Sequence, residues 1–210
     1  MESTLRRGDF GPTDGIRLIE TLLWDGAAYP RLPLHLARLA QGAAALGFPC
    51  DAAQVRARLA EAPKGQASRV RLTLGAAGDL DLTLAALPPA KPLWHLGLAQ
   101  ARLRSDDPWL GVKSTHRPAY DAARAALPEG LDEVIFLNER DEVCDGTITT
   151  VFFDRGLGLR TPPLSAGLLP GVLRAELAVP EERLQAEDLP RVQLWVGNAL
   201  RGLIPARWVG

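Results

Sequence analysis

The chain has 210 residues, with 24 basic and 25 acidic side chains and a formal net charge of −1. That balance excludes a general nucleic-acid or anionic-membrane binder, which carries a basic excess, and an apolar content of 47% with 23% charged residues is that of a globular chain. The basic set is lopsided: 21 arginines against three lysines, Lys64, Lys91 and Lys113, so chemistry that needs a primary amine has three side chains to choose from.

No apolar stretch approaches the ~20 residues needed to span a bilayer, and Met1-Glu2-Ser3-Thr4 lacks the charged-then-apolar layout of a secretory signal. Cys50 and Cys144 have neither metal-ligand spacing nor the numbers for a disulfide framework. A reduced, cytoplasmic protein is the expectation.

In chain order, Ile16 to Trp24 reads as a strand that Asp25-Gly26 ends, with a short return strand over Ala27 to Tyr29. Leu36, Leu39, Ala40, Ala43 and Leu46 recur at helical spacing, so a helix is predicted from Leu34 to Leu46, stopped by Gly47 and Pro49. A second helix is predicted from Asp51, its N-cap, to Ala62. Val70, Leu72 and Leu74, then Leu80, Leu82 and Leu84, alternate with polar residues around a Gly75–Gly78 turn, the pattern of a hairpin with one buried face. Residues 1–87 thus read as a small α+β domain, with a stiff Pro-rich linker over 88–92.

The larger domain, 93–210, is predicted to open with a strand from Leu93 to Gln100, then a polar loop leading to Lys113 and a helix from Pro118 to Ala126. Glu133 to Leu137 and Glu142 to Phe153 read as strands about an Asn138–Asp141 turn. A Gly- and Pro-rich loop, Leu164 to Gly171, leads into a helix from about Pro170 to Ala178, and Gln193 to Val196 and Leu203 to Ile204 read as late strands.

The residues exclude several chemistries. His35, His95 and His116 are scattered, no H-E-x-x-H or EF-hand pattern occurs, and the dinucleotide, P-loop and G-x-S-x-G signatures are absent. Lys113 stands out, read as lying after a strand and before a helix, with apolar neighbours on one side and Arg117 close in sequence. Both influences disfavour the ammonium form, and a neutral amine can form a Schiff base; the alternative is an ordinary surface lysine. Pro170 to Arg174 would place free backbone N–H groups at a helix start, which suits a phosphate.

Together these segments resemble the fold-type-IV pyridoxal-phosphate enzymes, the class IV aminotransferase family. The residues that carry the resemblance are Glu20-Thr21, His35-Leu36-Ala37-Arg38-Leu39, Lys113 followed by Arg117, Cys144-Asp145-Gly146-Thr147-Ile148-Thr149, Thr161-Pro162-Pro163-Leu164 and Gly167 through Arg174. It runs from about residue 15 to the end of the chain. The Lys113–Arg117 pair and Asn198-Ala199-Leu200-Arg201-Gly202 are most similar to the aminodeoxychorismate lyase branch.

The resemblance implies a two-domain α+β fold of the D-amino-acid aminotransferase type, with pyridoxal 5'-phosphate as cofactor between the domains. Lys113 would hold the cofactor and later move protons. Arg38 would bind its phosphate with the amides of Val172 and Leu173 and with Asn198. Asp145 would face the pyridine nitrogen, where the family usually has glutamate, one methylene longer. Leu173 stands where many relatives have threonine. Arg117 and Arg201 would anchor substrate carboxylates, and Thr21 would offer a hydroxyl to the substrate. Each also has a bland reading: a surface arginine, an Asp-Gly turn, a turn-capping asparagine, a plain strand threonine. The activity implied is a lyase giving 4-aminobenzoate and pyruvate in folate synthesis. A branched-chain or D-amino-acid aminotransferase and a degenerate member without activity are the alternatives. A homodimer acting on a small carboxylate-bearing substrate is implied as well.

Overall fold

The structure, a computed structural model, describes residues 5–210; the Met1–Thr4 stretch read for a secretory signal lies outside them. The chain divides into two units, one of residues 5–89 with Gly111–His116, the other of Ala90–Leu110 with Arg117–Gly210. The division does not follow sequence order, because Gly111–His116 returns to the first unit.

The first unit is a three-stranded antiparallel sheet with two helices. Strand β1 (Leu18–Trp24) is followed by helices α1 (Leu32–Leu46) and α2 (Ala52–Leu59), then by β2 (Ser68–Leu74) and β3 (Leu80–Ala85), in sheet order β1-β2-β3. The predicted return strand at Ala27 to Tyr29 does not form. Asp25 Oδ1 accepts from the amides of Ala27 and Ala28, and Asp25 N donates to Ala28 O, so the chain closes a turn. The partner of β1 is instead β2, with Trp24 opposite Ser68 and Leu18 opposite Leu74.

Helix α1 ends as expected at Gly47, whose φ of 70° is left-handed. Its buried face is rotated from the one drawn from leucine and alanine spacing: His35, Leu39, Gly42, Ala43 and Leu46 are inside, whereas Ala40 is exposed. Gly42 permits this, because a Cβ there would lie 3.1 Å from Leu18 Cδ2. Asp51 caps α2 through Ala53 N. On β2 the alternation is clean, with Val70, Leu72 and Leu74 buried between exposed arginines. The β3 leucines are only half-buried or exposed, as befits an edge strand.

The outer edge of β1 is covered by the segment around Lys113. Ile19 N donates to Lys113 O (2.8 Å), Thr115 N donates to Arg17 O (2.8 Å), and Leu18 bridges Ser114 in antiparallel sense. Lys113 therefore sits on an extended segment, reached through a 3-10 turn at Pro108–Gly111 rather than directly from a strand.

The second unit is a closed barrel of six strands: β4 (Trp94–Leu98), then, after helix α3 (Pro118–Ala125), β5 (Glu133–Leu137), β6 (Val143–Gly146) and β7 (Thr150–Asp154), and, after helix α4 (Val172–Leu177), β8 (Gln193–Asn198) and β9 (Gly202–Trp208). β4 runs parallel to β5 and β9, and the other pairs are antiparallel. The unbroken apolar run of β5 follows from burial on both faces: Ile135 and Leu137 join one core cluster, Val134 and Phe136 another that packs on α3. The single strand predicted from Glu142 to Phe153 is two, broken by a turn at Thr147–Thr149. Pro170 precedes the helix, because Gly171 is its extended N-cap, and Ala178, at φ 47°, ends it.

In the first unit α1 is fastened to β1 by a cluster without access to water. Glu20 is 2% and His35 2% exposed. His35 Nδ1 lies 2.6 Å from Glu20 Oε2, while Arg38 donates through Nε to Oε1 (2.9 Å) and through Nη2 to Oε2 (2.6 Å). Burial pushes the Glu20 carboxyl up, but the charge of Arg38 and the hydrogen bonds from His35 and Arg38 outweigh it and leave its pKa below the ordinary 4.5. Because the folded value is depressed, the cluster's contribution to stability is present above pH 4.5 and is lost as pH falls through the folded value. Glu20→Gln is expected to lower stability at pH 7 by ~3 kcal/mol and to lose less of it on acidification than the wild type. Urea denaturation from pH 7 to pH 3 checks this; equal acid slopes would place the sensitivity elsewhere.

Candidate functional site

The first unit contributes Lys113, Arg38 and Thr21. Lys113 is half-buried, next to the buried Val112 and Ser114, and its main chain is bonded to β1. Arg38 projects from α1 with two of its three guanidinium nitrogens committed to Glu20. This bidentate pair fixes the plane of the guanidinium and leaves Nη1 outside it. Thr21 is half-buried and, by strand alternation, lies on the face of β1 opposite Glu20.

The second unit brings Asp145, Val172, Leu173 and the Thr147–Thr149 turn together. Asp145, on β6, is 4% exposed, and its Oδ2 accepts from Leu169 N at 2.9 Å. That bond ties the loop before α4 to the barrel. Asp145 pairs with Thr150 across β6 and β7. A Cβ on Gly171 would lie 2.7 Å from Thr150 Oγ1, so only glycine lets the α4 N-terminus approach β7 this closely. No side chain of Gly171 caps α4, and the buried Val172 and Leu173 open the helix. Leu173 in turn lies against β8, where a Cβ on Gly197 would come within 2.5 Å of Leu173 Cδ2. Leu173 is thus part of the α4–β8 packing.

Two expected binding residues serve the protein itself. Asn198 accepts from Leu200 N (3.1 Å) and Arg201 N (3.0 Å) and donates to Ile148 O (3.1 Å), which makes it the cap of the β8–β9 turn. Arg117 donates from Nη2 to Thr147 O (2.6 Å) and from Nε to Asp121 (2.8 Å), and its guanidinium lies 5.3 Å from the Tyr120 ring centre. Arg201 stacks over Trp94 at 5.3 Å. Tyr120 packs edge-on against Phe136; burial, then the Asp145 carboxylate, push its phenol well above its usual value. Cys144 is buried, and burial pushes its thiol up, which favours the thiol over the thiolate.

Sequence reasoning quoted Glu20 and His35 only as parts of a resemblance and read Glu133 only as a strand residue. A signal was present for each: an acid inside an apolar strand, with His35 and Arg38 three apart on one helix face, and an acid at the head of the wholly apolar Val134-Ile135-Phe136-Leu137.

Each unit, taken by itself, carries groups that suit a phosphorylated pyridine aldehyde. The first has a primary amine and a braced guanidinium; the second has uncapped helix amides reached through a glycine that a Cβ would disturb, and a buried carboxyl of the kind that keeps a ring nitrogen protonated.

Comparison with known proteins agrees with this chemistry. The sequence profile described as "Amino-transferase class IV" matches residues 17–209. A protein of Schizosaccharomyces pombe named "Putative aminodeoxychorismate lyase" is 30% identical over 167 residues, 76% of this chain and 72% of the relative. The crystal structure of a "Putative amino-acid aminotransferase" from Mesorhizobium loti superposes with a TM-score of 0.88 at 43% identity, covering 92% of this chain and all of that one. The 4-amino-4-deoxychorismate lyase of Pseudomonas aeruginosa shares the fold, with a TM-score of 0.75 at 23% identity over 91% of this chain and 82% of that one. With these matches and a donor set that suits pyridoxal phosphate, the cofactor of the family, the chain belongs to the class IV aminotransferases and is an enzyme of that family.

Proposed function

We propose that this enzyme is a 4-amino-4-deoxychorismate lyase, releasing 4-aminobenzoate and pyruvate in folate synthesis. The observation that carries the reading is Lys113: an amine held on a bonded, extended segment, in a chain that also keeps the lyase-like Asn198-Ala199-Leu200-Arg201-Gly202 turn between β8 and β9. The named Schizosaccharomyces pombe relative supports the same substrate.

Bound pyridoxal phosphate supplies an electrophilic carbonyl and an electron sink. Lys113 would hold the cofactor through its amine, and the same amine, when free, would take the proton from substrate C4. Arg38 and the amides of Val172 and Leu173 would bind the phosphate. Asp145 would keep a proton on the pyridine nitrogen. Being shorter than glutamate, it depends on the Leu169 amide to hold its carboxylate in place. Arg201 anchors a substrate carboxylate, and Thr21 offers its hydroxyl. Arg117 acts through the Thr147–Thr149 turn it binds. No helix among the described residues is long and apolar enough to cross a membrane; a cytoplasmic homodimer goes with this reading.

An aminotransferase is the second reading, favoured by the 43% identity to the Mesorhizobium loti protein. Stoichiometry separates the two, because a transaminase needs an amino acceptor and a lyase does not. Cofactor-loaded protein incubated with aminodeoxychorismate alone is expected to release 4-aminobenzoate and pyruvate in equal amounts. Half-reactions with amino acids and no pyruvate would establish the transaminase instead.

Lys113→Ala is expected to abolish the visible absorption band of the loaded protein; an unchanged band, or no band in the wild type, would point to a degenerate member. Asp145→Asn is expected to keep cofactor bound but lower kcat by ~100-fold or more. An activity near that of the wild type would remove Asp145 from the ring nitrogen.

A further inference from the structure

A carboxylate at full burial is costly unless its acceptor sites are met, and Glu133, at the head of β5, has no solvent exposure. Its two oxygens accept four hydrogen bonds. Oε1 takes Thr147 Oγ1 (2.5 Å) and Val134 N (3.2 Å); Oε2 takes Thr149 Oγ1 (3.0 Å) and Ile148 N (3.1 Å). Arg124 Nη1 stands 3.7 Å away. Three of the four donors belong to the turn between β6 and β7. The carboxylate also lies against Gly146, where a Cβ would come within 2.8 Å of Glu133 Cγ and Cδ. Two further side chains hold the same turn by its carbonyls: Arg117 at Thr147 O (2.6 Å) and Asn198 at Ile148 O (3.1 Å).

The turn sits between the two residues that set the second unit's binding surface. Asp145 precedes it by two residues and Thr150, against Gly171, follows it. We propose that Glu133 is a positioning residue for the cofactor: by clamping the Thr147–Thr149 turn it fixes the Asp145 carboxylate and the approach of the α4 N-terminus, with Arg117 and Asn198 as braces of the same turn. This rests on the reading of Asp145 and α4 as cofactor-binding groups.

The chemistry admits no conservative replacement. Each oxygen of Glu133 faces a backbone N–H, so the amide of a glutamine meets a donor in either orientation. Aspartate, one methylene shorter, cannot reach both hydroxyls.

The test uses the full chain with pyridoxal phosphate as probe, comparing wild type, Glu133→Gln, and the Thr147→Val/Thr149→Val pair, which keeps the charge and removes the hydroxyls. The control is Glu129→Gln at an exposed position. Both turn variants are expected to raise the cofactor Kd ~10-fold or more and to shift the pH midpoint of the visible band. Combining them should add little, because they break one clamp. In the protein without cofactor, both should speed hydrogen exchange at Ile148. If Glu133→Gln does not fold, the threonine pair decides. Wild type and folded turn variants that bind alike, with an unmoved band, would overturn the positioning role while leaving the cofactor reading intact; a wild type that binds no cofactor would overturn both.

Discussion

A carboxylate taken out of water must have its lone pairs met by donors, and in each unit of this chain one such group, Glu20 or Glu133, ties separate elements together. Glu20 draws its donors from α1, so the helix must lie across β1 with His35 and Arg38 directed inward. Glu133 draws three of its four from one turn, so β6 and β7 must part where they do. Removing a partner from such a set leaves a buried charge uncompensated. The constraint is therefore directional in a way that apolar packing is not. Leu18 or Leu72 could exchange neighbours at modest cost, whereas Glu20 and Glu133 each accept one geometry.

This explains which parts of the fold were legible in the sequence. Helices α1 and α2, the β2–β3 hairpin and the late strands are written in local periodicity and caps, such as Gly47 after α1 and Asp51 before α2. The failures fall where a distant polar group overrules local pattern. Glu142 to Phe153 reads as one strand because nothing between them announces that Glu133, outside the segment, bends the chain at Thr147. The return strand at Ala27 fails because the Asp25 side chain closes a turn and β1 finds its partner some forty residues on, at β2. Closure of the barrel, through the parallel pairing of β4 with β9, leaves no local mark at all.

The candidate site was legible by residue type but less so by role. Asp145 accepts from Leu169 in the loop that leads to α4, which Val172 and Leu173 open. Arg117 and Asn198 were expected to touch ligand; Arg117 Nη2 and Asn198 Nδ2 donate to backbone carbonyls of the Thr147–Thr149 turn, and Arg117 Nε donates to Asp121. Charge alone could not separate these cases. An arginine can donate to a carboxylate or to a peptide carbonyl, and only the three-dimensional partner decides. Leu173 differs in kind: it packs on Gly197, where a Cβ would come within 2.5 Å of its Cδ2.

The same partner logic separates the three lysines. Lys91 is exposed, and its amine donates to both oxygens of Asp132 at 2.7 and 2.8 Å. Lys64 is exposed in a turn beside Gly65. Lys113 alone is half-buried, on a segment whose backbone is bonded at Lys113 O to Ile19 N of β1 and at Thr115 N to Arg17 O. A Schiff base needs an amine that can lose its proton and that returns to one place. A guanidinium cannot do this at neutral pH. In a chain with 21 arginines and three lysines, Lys113 is therefore the amine on which the proposed Schiff base rests.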